Sequence, residues 1–221
     1  ERYIRRHYVF EANLPDDFRI EDTLLAELTF VRILLRGDWA AETSPGEWTT
    51  AGPVVLFGAN SRPMPVRVSG PFNVIGFSFR PSGWKSAFRQ PASEFADRML
   101  PLSEAWGQAA MDSLYQDVRD AQDDAGIVAA IERAVLVQVD SLGLRRHDDE
   151  MSQFEVIART DSTRRVEDVA DELGLSVRQL ERRCLDTFGL SPQMILRRSR
   201  FLDVASTMRG ARPRANTRSC C

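Results

Sequence analysis

Arg178, Glu181 and Arg182 recur at steps of three and four in residues 165–192, RVEDVADELGLSVRQLERRCLDTFGLSP. On a helix that spacing puts two guanidinium forks and a carboxylate on one outward face, with Arg183 at its edge. Such a face can meet phosphates or base edges, provided something holds the helix rigid and outward. The elements that would do so are readable. Val177, Leu180, Cys184 and Phe188 recur at helical spacing and are expected to face inward. Ser176 is a good N-cap, and Gly189 closes the helix. Upstream, Val166, Val169, Ala170 and Leu173 line one side of a shorter helix. Gly174 ends it in the left-handed conformation, and Leu175 fills the corner. Two helices around a Gly-containing turn, the second with a basic outer face, is the architecture of a DNA-reading helix-turn-helix. An ordinary helical hairpin shares the apolar spacing, so residue identities must decide.

Val169-Ala170, Gly174-Leu175-Ser176, Gln179-Leu180-Glu181-Arg182 and Gly189-Leu190-Ser191-Pro192, followed by Arg200, resemble the first helix-turn-helix of the AraC family of bacterial transcription regulators. The shared pattern is a small residue in the first helix, G-L-S at the turn, L-x-R in the recognition helix, G-x-S-P after it and an Arg in the linking helix. It covers about residues 165–208. The resemblance implies that residues 177–188 enter the major groove with Arg178, Glu181 and Arg182 facing bases. An Arg fork reads guanine O6 and N7, and a Glu accepts from cytosine N4. Arg183, Arg197 and Arg198 would contact phosphates, which position without reading sequence. Arg200 would tie the helices together.

Two departures stand out. The family usually has a bulky aromatic where Cys184 stands, so an under-filled core is expected. The family also carries a second helix-turn-helix beyond the linking helix, whereas here residues 193–208 are followed by RGARPRANTRSCC. That stretch lacks apolar periodicity and reads as a disordered tail. The second unit is therefore expected to be absent, a C-terminal truncation of the family's layout. The sequence opens with Glu1, and neither end is expected to be a natural terminus.

At 221 residues the protein is long enough for two domains. Its net charge of −3 and pI of about 5.6 argue, in bulk, against nucleic acid. The distribution reverses that. From Ser176 onward ten arginines face three acidic residues, a net +7, which leaves −10 for the rest. The three cysteines, Cys184, Cys220 and Cys221, form neither a metal-ligand spacing nor a disulfide framework, so a cytoplasmic location is expected. Charges interrupt every long apolar stretch, which argues against a membrane span.

The expected fold class is α+β: an N-terminal β-barrel, a helical connector and an all-α helix-turn-helix domain. Residues 1–101 read as β-rich, with candidate strands at 24–35, 53–58, 66–68 and 72–79 between Gly/Pro turns. Residues 102–143 read as connector or dimerisation helices. Ser103 is the expected cap of the first, with Trp106, Ala110, Leu114 and Val118 as its stripe. Residues 143–150 read as a linker, 150–208 as the helix-turn-helix domain and 209–221 as the tail. Gly70-Pro71, Val74-Ile75-Gly76-Phe77, Phe79-Arg80-Pro81, Pro91-Ala92, Glu94, Asp97-Arg98 and Pro101-Leu102 are similar to the cupin-like sensor domain of one group of AraC-type regulators. That resemblance implies a small barrel for an effector, followed by helices that pair subunits.

Cupin barrels also serve as catalytic metal folds, but their chemistry needs clustered ligands. His7 and His147 are the protein's two histidines and stand far apart in sequence. No phosphate loop or nucleophile elbow appears, so no enzyme activity, metal or cofactor is expected. Trp39, Phe57, Phe77 and Phe79 are candidates to line an effector pocket, although aromatics at strand spacing are more often core. The reading is therefore a sequence-specific transcription regulator that binds double-stranded DNA, works as a homodimer and responds to an unidentified small molecule. The competing reading is a ligand-binding or dimerisation module with an inert C-terminal end.

Overall fold

The computed structural model describes residues 2–25, 27–144 and 147–208; the tail at 209–221 lies outside the described residues. The fold is α+β. Its strands are β1 (Ile4–Ala12), β2 (Arg19–Leu24), β3 (Phe30–Ser44), β4 (Glu47–Thr49), β5 (Val54–Phe57), β6 (Met64–Phe79) and β7 (Met99–Pro101), all paired antiparallel. The central strand is β6, which pairs with β3 along one edge and with β1 and then β2 along the other. The order is β1-β6-β3-β5-β7, with β2 also on β6 and β4 also on β3.

Two expectations change here. The closed barrel is instead an open sheet, because β7 is three residues long and pairs with β5 alone before the backbone turns helical. No pairing among the described residues joins it to β1. The expected strands at 66–68 and 72–79 are one element. Gly70-Pro71 does not end the strand, because β6 carries Gly70, Pro71 and Phe72 opposite the single Gly37 of β3 and goes on pairing beyond them in a shifted register.

Strand alternation sorts the side chains onto two faces. On one, Val31, Ile33, Leu56, Ile75, Phe77 and Phe79 pack under the helices α1 (Trp84–Ala87), α2 (Ser103–Trp106), α3 (Gln108–Asp120) and α4 (Asp124–Leu142). Trp84, stacked on Phe88 at 3.8 Å, fills the centre of that layer. The other face carries Phe30, Phe57, Val66, Val68, Phe72 and Val74. The helix expected to start at Ser103 is two helices separated by Gly107, and Ser103 is the first helical residue instead of the cap. Asp123 caps α4 by accepting from the Gly126 amide.

Helices α5 (Asp149–Thr160), α6 (Val166–Glu172), α7 (Val177–Phe188) and α8 (Pro192–Met208) surround a second core of Met151, Phe154, Val169, Leu180, Cys184 and Phe188. Leu28 and Ala59, from loops of the sheet region, complete it. The helical unit is therefore built against the sheet region. The expected linker is short: Gly143 caps α4, and α5 already begins at Asp149 with Asp148 as its cap. Among the described residues, no helix is long and apolar enough to cross a membrane.

Candidate functional site

The turn between α6 and α7 follows from three residues. Gly174 adopts φ +66, Leu175 donates its amide to the Ala170 carbonyl, and Ser176 begins the next helix. A side chain at Gly174 would strain the left-handed cap. Ser176 and Gln179 form a reciprocal capping box: the serine Oγ accepts the Gln179 amide at 3.2 Å, and the Gln179 Oε1 accepts the Ser176 amide at 2.8 Å. Ser176→Ala should lower stability by about 1 kcal/mol. A denaturant titration with an unchanged slope and a lower midpoint is the expected readout.

Leu180, Cys184 and Phe188 are buried, as their spacing requires, and Thr187 joins them. Val177, the first residue of α7, departs from the expected inward set and is exposed. Burial pushes the Cys184 thiol well above its ordinary range, which keeps it neutral and unreactive. On the outer side, Arg178, Glu181, Arg182 and Leu185 form one exposed stripe. None of its three charged residues has an ion-pair partner among the described residues.

The three arginines expected at phosphates are not equivalent. Arg197 is exposed. Arg198 is not: its side chain is 10% exposed and lies 3.6 Å from Glu27 of the β2–β3 loop. Arg183 turns inward, where its Nη2 donates to Asp148 Oδ1 at 2.7 Å and to Glu150 Oε2 at 3.0 Å. It fastens α7 to the start of α5, where two carboxylates are already favoured by the helix dipole. Both departures have one physical reason: partners distant in sequence claim the charge. Arg200, expected to tie helices, donates from Nη1 to the Ser162 carbonyl at 2.8 Å.

The Arg183 hydrogen bond holds the Glu150 carboxyl below its ordinary value of 4.5. A carboxylate whose folded pKa is depressed contributes stability above its unfolded pKa, and loses it as pH falls through the folded value. Arg183→Gln should therefore destabilise the protein at neutral pH by an amount that shrinks as the pH drops below about 4. Parallel denaturation curves at pH 7 and pH 3.5 check this; an equal loss at both would contradict it.

The inner edge of α7 is docked on the sheet region. Phe188 lies in a pocket with Leu28, Phe79, Pro81 and Trp84, and Asp186 pairs with Lys85 at 3.3 Å. Glu155 of α5 pairs with Arg5 at 3.4 Å. The basic stripe thus faces away from a rigid base.

On the face of the sheet opposite the helices lies a cavity of about 290 Å³, lined by β1, β2, β3 and β6. Of the four aromatics expected at an effector pocket, Trp39 lines it. Phe57 lies behind, edge-on to Trp39 at 6.1 Å. Phe77 and Phe79 are on the helix-covered face, since odd-numbered positions of β6 point there. Sequence reasoning missed Arg32 and Tyr8, while Phe72, one of the barrel-region aromatics it did consider, lines the cavity. The available signal was the one charge inside the apolar run Phe30-Val31-Arg32-Ile33-Leu34. His7 is on β1, where burial lowers its pKa despite Glu132, while His147 lies beside Asp149. The two are not brought together, and no group of three His, Cys, Asp or Glu among the described residues could hold a metal.

Residues 1–101 match a family described as a domain of unknown function (DUF6597). No match is found among curated proteins. Among solved structures, the protein is similar to ToxT from Vibrio cholerae with an unsaturated fatty acid bound, at 14% identity over 95% of this sequence and 82% of that one, with a TM-score of 0.46. A second ToxT crystal form gives 14% identity over 91% and 84%, with a TM-score of 0.48. The AraC-like transcriptional activator CuxR gives 13% identity over 90% and 76%, with a TM-score of 0.41.

Proposed function

We propose that this protein is a sequence-specific DNA-binding transcription regulator of the AraC type. In this reading α6 and α7 are its helix-turn-helix, and the open sheet is its effector-sensing part. The observation that carries it is the unpaired stripe of Arg178, Glu181 and Arg182, on a helix capped at both ends and buried on its other side. A helix so held meets base edges without first being ordered, which lowers the entropic cost of association. Arg197, exposed on α8, supplies a phosphate contact; Arg183 and Arg198 hold the base of the reader instead.

An anisotropy titration of labelled duplex against the full-length protein at several salt concentrations tests this. The affinity should fall steeply with salt, and Arg178→Ala combined with Arg182→Ala should remove sequence preference. Salt-independent or absent binding would sink the proposal.

The competing reading is a ligand-binding or dimerisation module. Leu136 and Val137 of α4 are 52% and 62% exposed, an apolar surface that a second copy would cover. A homodimer through α4 is compatible with both readings, because it would also place two readers in one particle. Loss of dimerisation without loss of duplex binding, in a Leu136→Glu variant, would separate the two.

A further inference from the structure

We propose that the sheet-lined cavity binds a small organic monoanion, a carboxylate on a flat apolar body, with Arg32 as the residue that holds the charge. The inference deepens the effector part of the reading above, and it stands on the cavity's own chemistry.

Phe10, Ile20, Trp39, Val68, Phe72 and Val74 make the wall apolar, and Phe10 stacks on Phe72 at 5.2 Å. Arg32 is the sole basic residue of the lining. Its guanidinium carbon lies 4.1 Å from the Trp39 ring centroid, 4.8 Å from that of Phe30 and 5.3 Å from that of Phe57. Three rings remove water from the cation, yet no carboxylate among the described residues pairs with it. Arg32 is half-buried with no counter-ion beside it, and withdrawing a charge from water in this way is costly, so the site is poised for an anion.

The hydrogen-bond inventory points the same way. Arg32 Nε donates to Tyr8 Oη at 2.9 Å, while Arg32 Nη1 and Trp39 Nε1 are buried without any acceptor. Two orphaned donors on neighbouring lining residues are unmet demand that the oxygens of a carboxylate could satisfy. In this proposal a turn of the guanidinium off the Trp39 face would bring Nη1 to the bound carboxylate.

The backbone is shaped to keep Arg32 in this place. Tyr8, Gly76 and Arg32 form a row across β1, β6 and β3. A Cβ on Gly76 would lie 2.0 Å from the Tyr8 ring, so the glycine is what lets Tyr8 lie flat across the sheet and reach Arg32. The cavity's size, near the low end of ligand pockets, suits one ring or a short aliphatic tail. Asp22, the single acidic lining residue, is exposed at the rim and repels a second negative group, which selects monoanions over dianions.

Calorimetric titration of the full-length protein with cinnamate and with cinnamamide, without DNA, tests the proposal. The acid should bind at least about tenfold more tightly than the amide, because the amide forfeits the charge-assisted bonds. Arg32→Gln should abolish that preference, and Asp22→Asn should strengthen binding of the acid. Equal affinity for acid and amide, no binding of either at millimolar concentration, or a preference that survives in folded Arg32→Gln would overturn the assignment. If Arg32→Gln fails to fold, Asp22→Asn decides: unchanged or weaker cinnamate binding counts against it. Failure of the DNA titration described above would leave the acid–amide difference intact, so the two claims fail separately.

Discussion

Arg182→Ala is expected to weaken binding to a preferred duplex by about 1–3 kcal/mol, roughly 5- to 150-fold, while affinity for unrelated duplex falls far less. The asymmetry follows from the chemistry of a free guanidinium. Arg182 stands in the middle of the exposed stripe of α7, one turn after Arg178 and nearly two turns before the buried end at Phe188. No carboxylate among the described residues pairs with it, so its full fork is available to a guanine edge. A phosphate-contacting arginine behaves differently, weakening all duplexes alike and reducing the salt slope by about one. Arg197→Ala is the internal comparison with that signature. Equal loss for preferred and unrelated duplex on Arg182→Ala, at fixed salt, would assign Arg182 to phosphate and remove base reading from the stripe's centre.

Phe188→Ala should be the most damaging single truncation in the helical unit, at about 3–5 kcal/mol. Phe188 is 2% exposed and meets Phe154 edge-on at 5.5 Å. It also reaches the sheet region through Leu28, Phe79, Pro81 and Trp84. Removing its ring opens a cavity in the helical core and loosens α7 from its base in one step. Chemical denaturation should show the loss, and duplex affinity should fall with it although Phe188 is buried and lies outside the exposed stripe. Phe201→Ala, at an exposed position of α8, should change stability by no more than about 0.5 kcal/mol. A Phe188→Ala loss as small as that would show that the two regions fold without this contact.

Helix α7 is legible in the sequence because every local cue agrees: its apolar period, Ser176 and Gln179 at one end, and Gly189 at the other. The turn at Gly174 is legible for the same reason. Arg183 is not, since its role depends on Asp148 and Glu150, some 35 residues upstream, and nothing near Arg183 signals them. Arg198 is likewise claimed by Glu27 from across the molecule. In the sheet region, aromatic density identifies a core but not which face each ring takes. Face assignment needs register, and the extra residues of β6 around Gly70-Pro71 alter register in a way turn signals misreport as a strand end. Arg32 shows the converse. A lone charge in an apolar strand is visible in the sequence, but its meaning depends on β1 and β6 being its neighbours.

Selecting bound duplexes from a randomised pool with the whole protein shows whether the outer face of α7 reads DNA sequence. A defined enriched motif is expected, whose preferred bases change when Glu181 or Arg182 is replaced by Ala. A pool that shows no enrichment, or an enriched motif that both variants share unchanged with the parent protein, would contradict that reading.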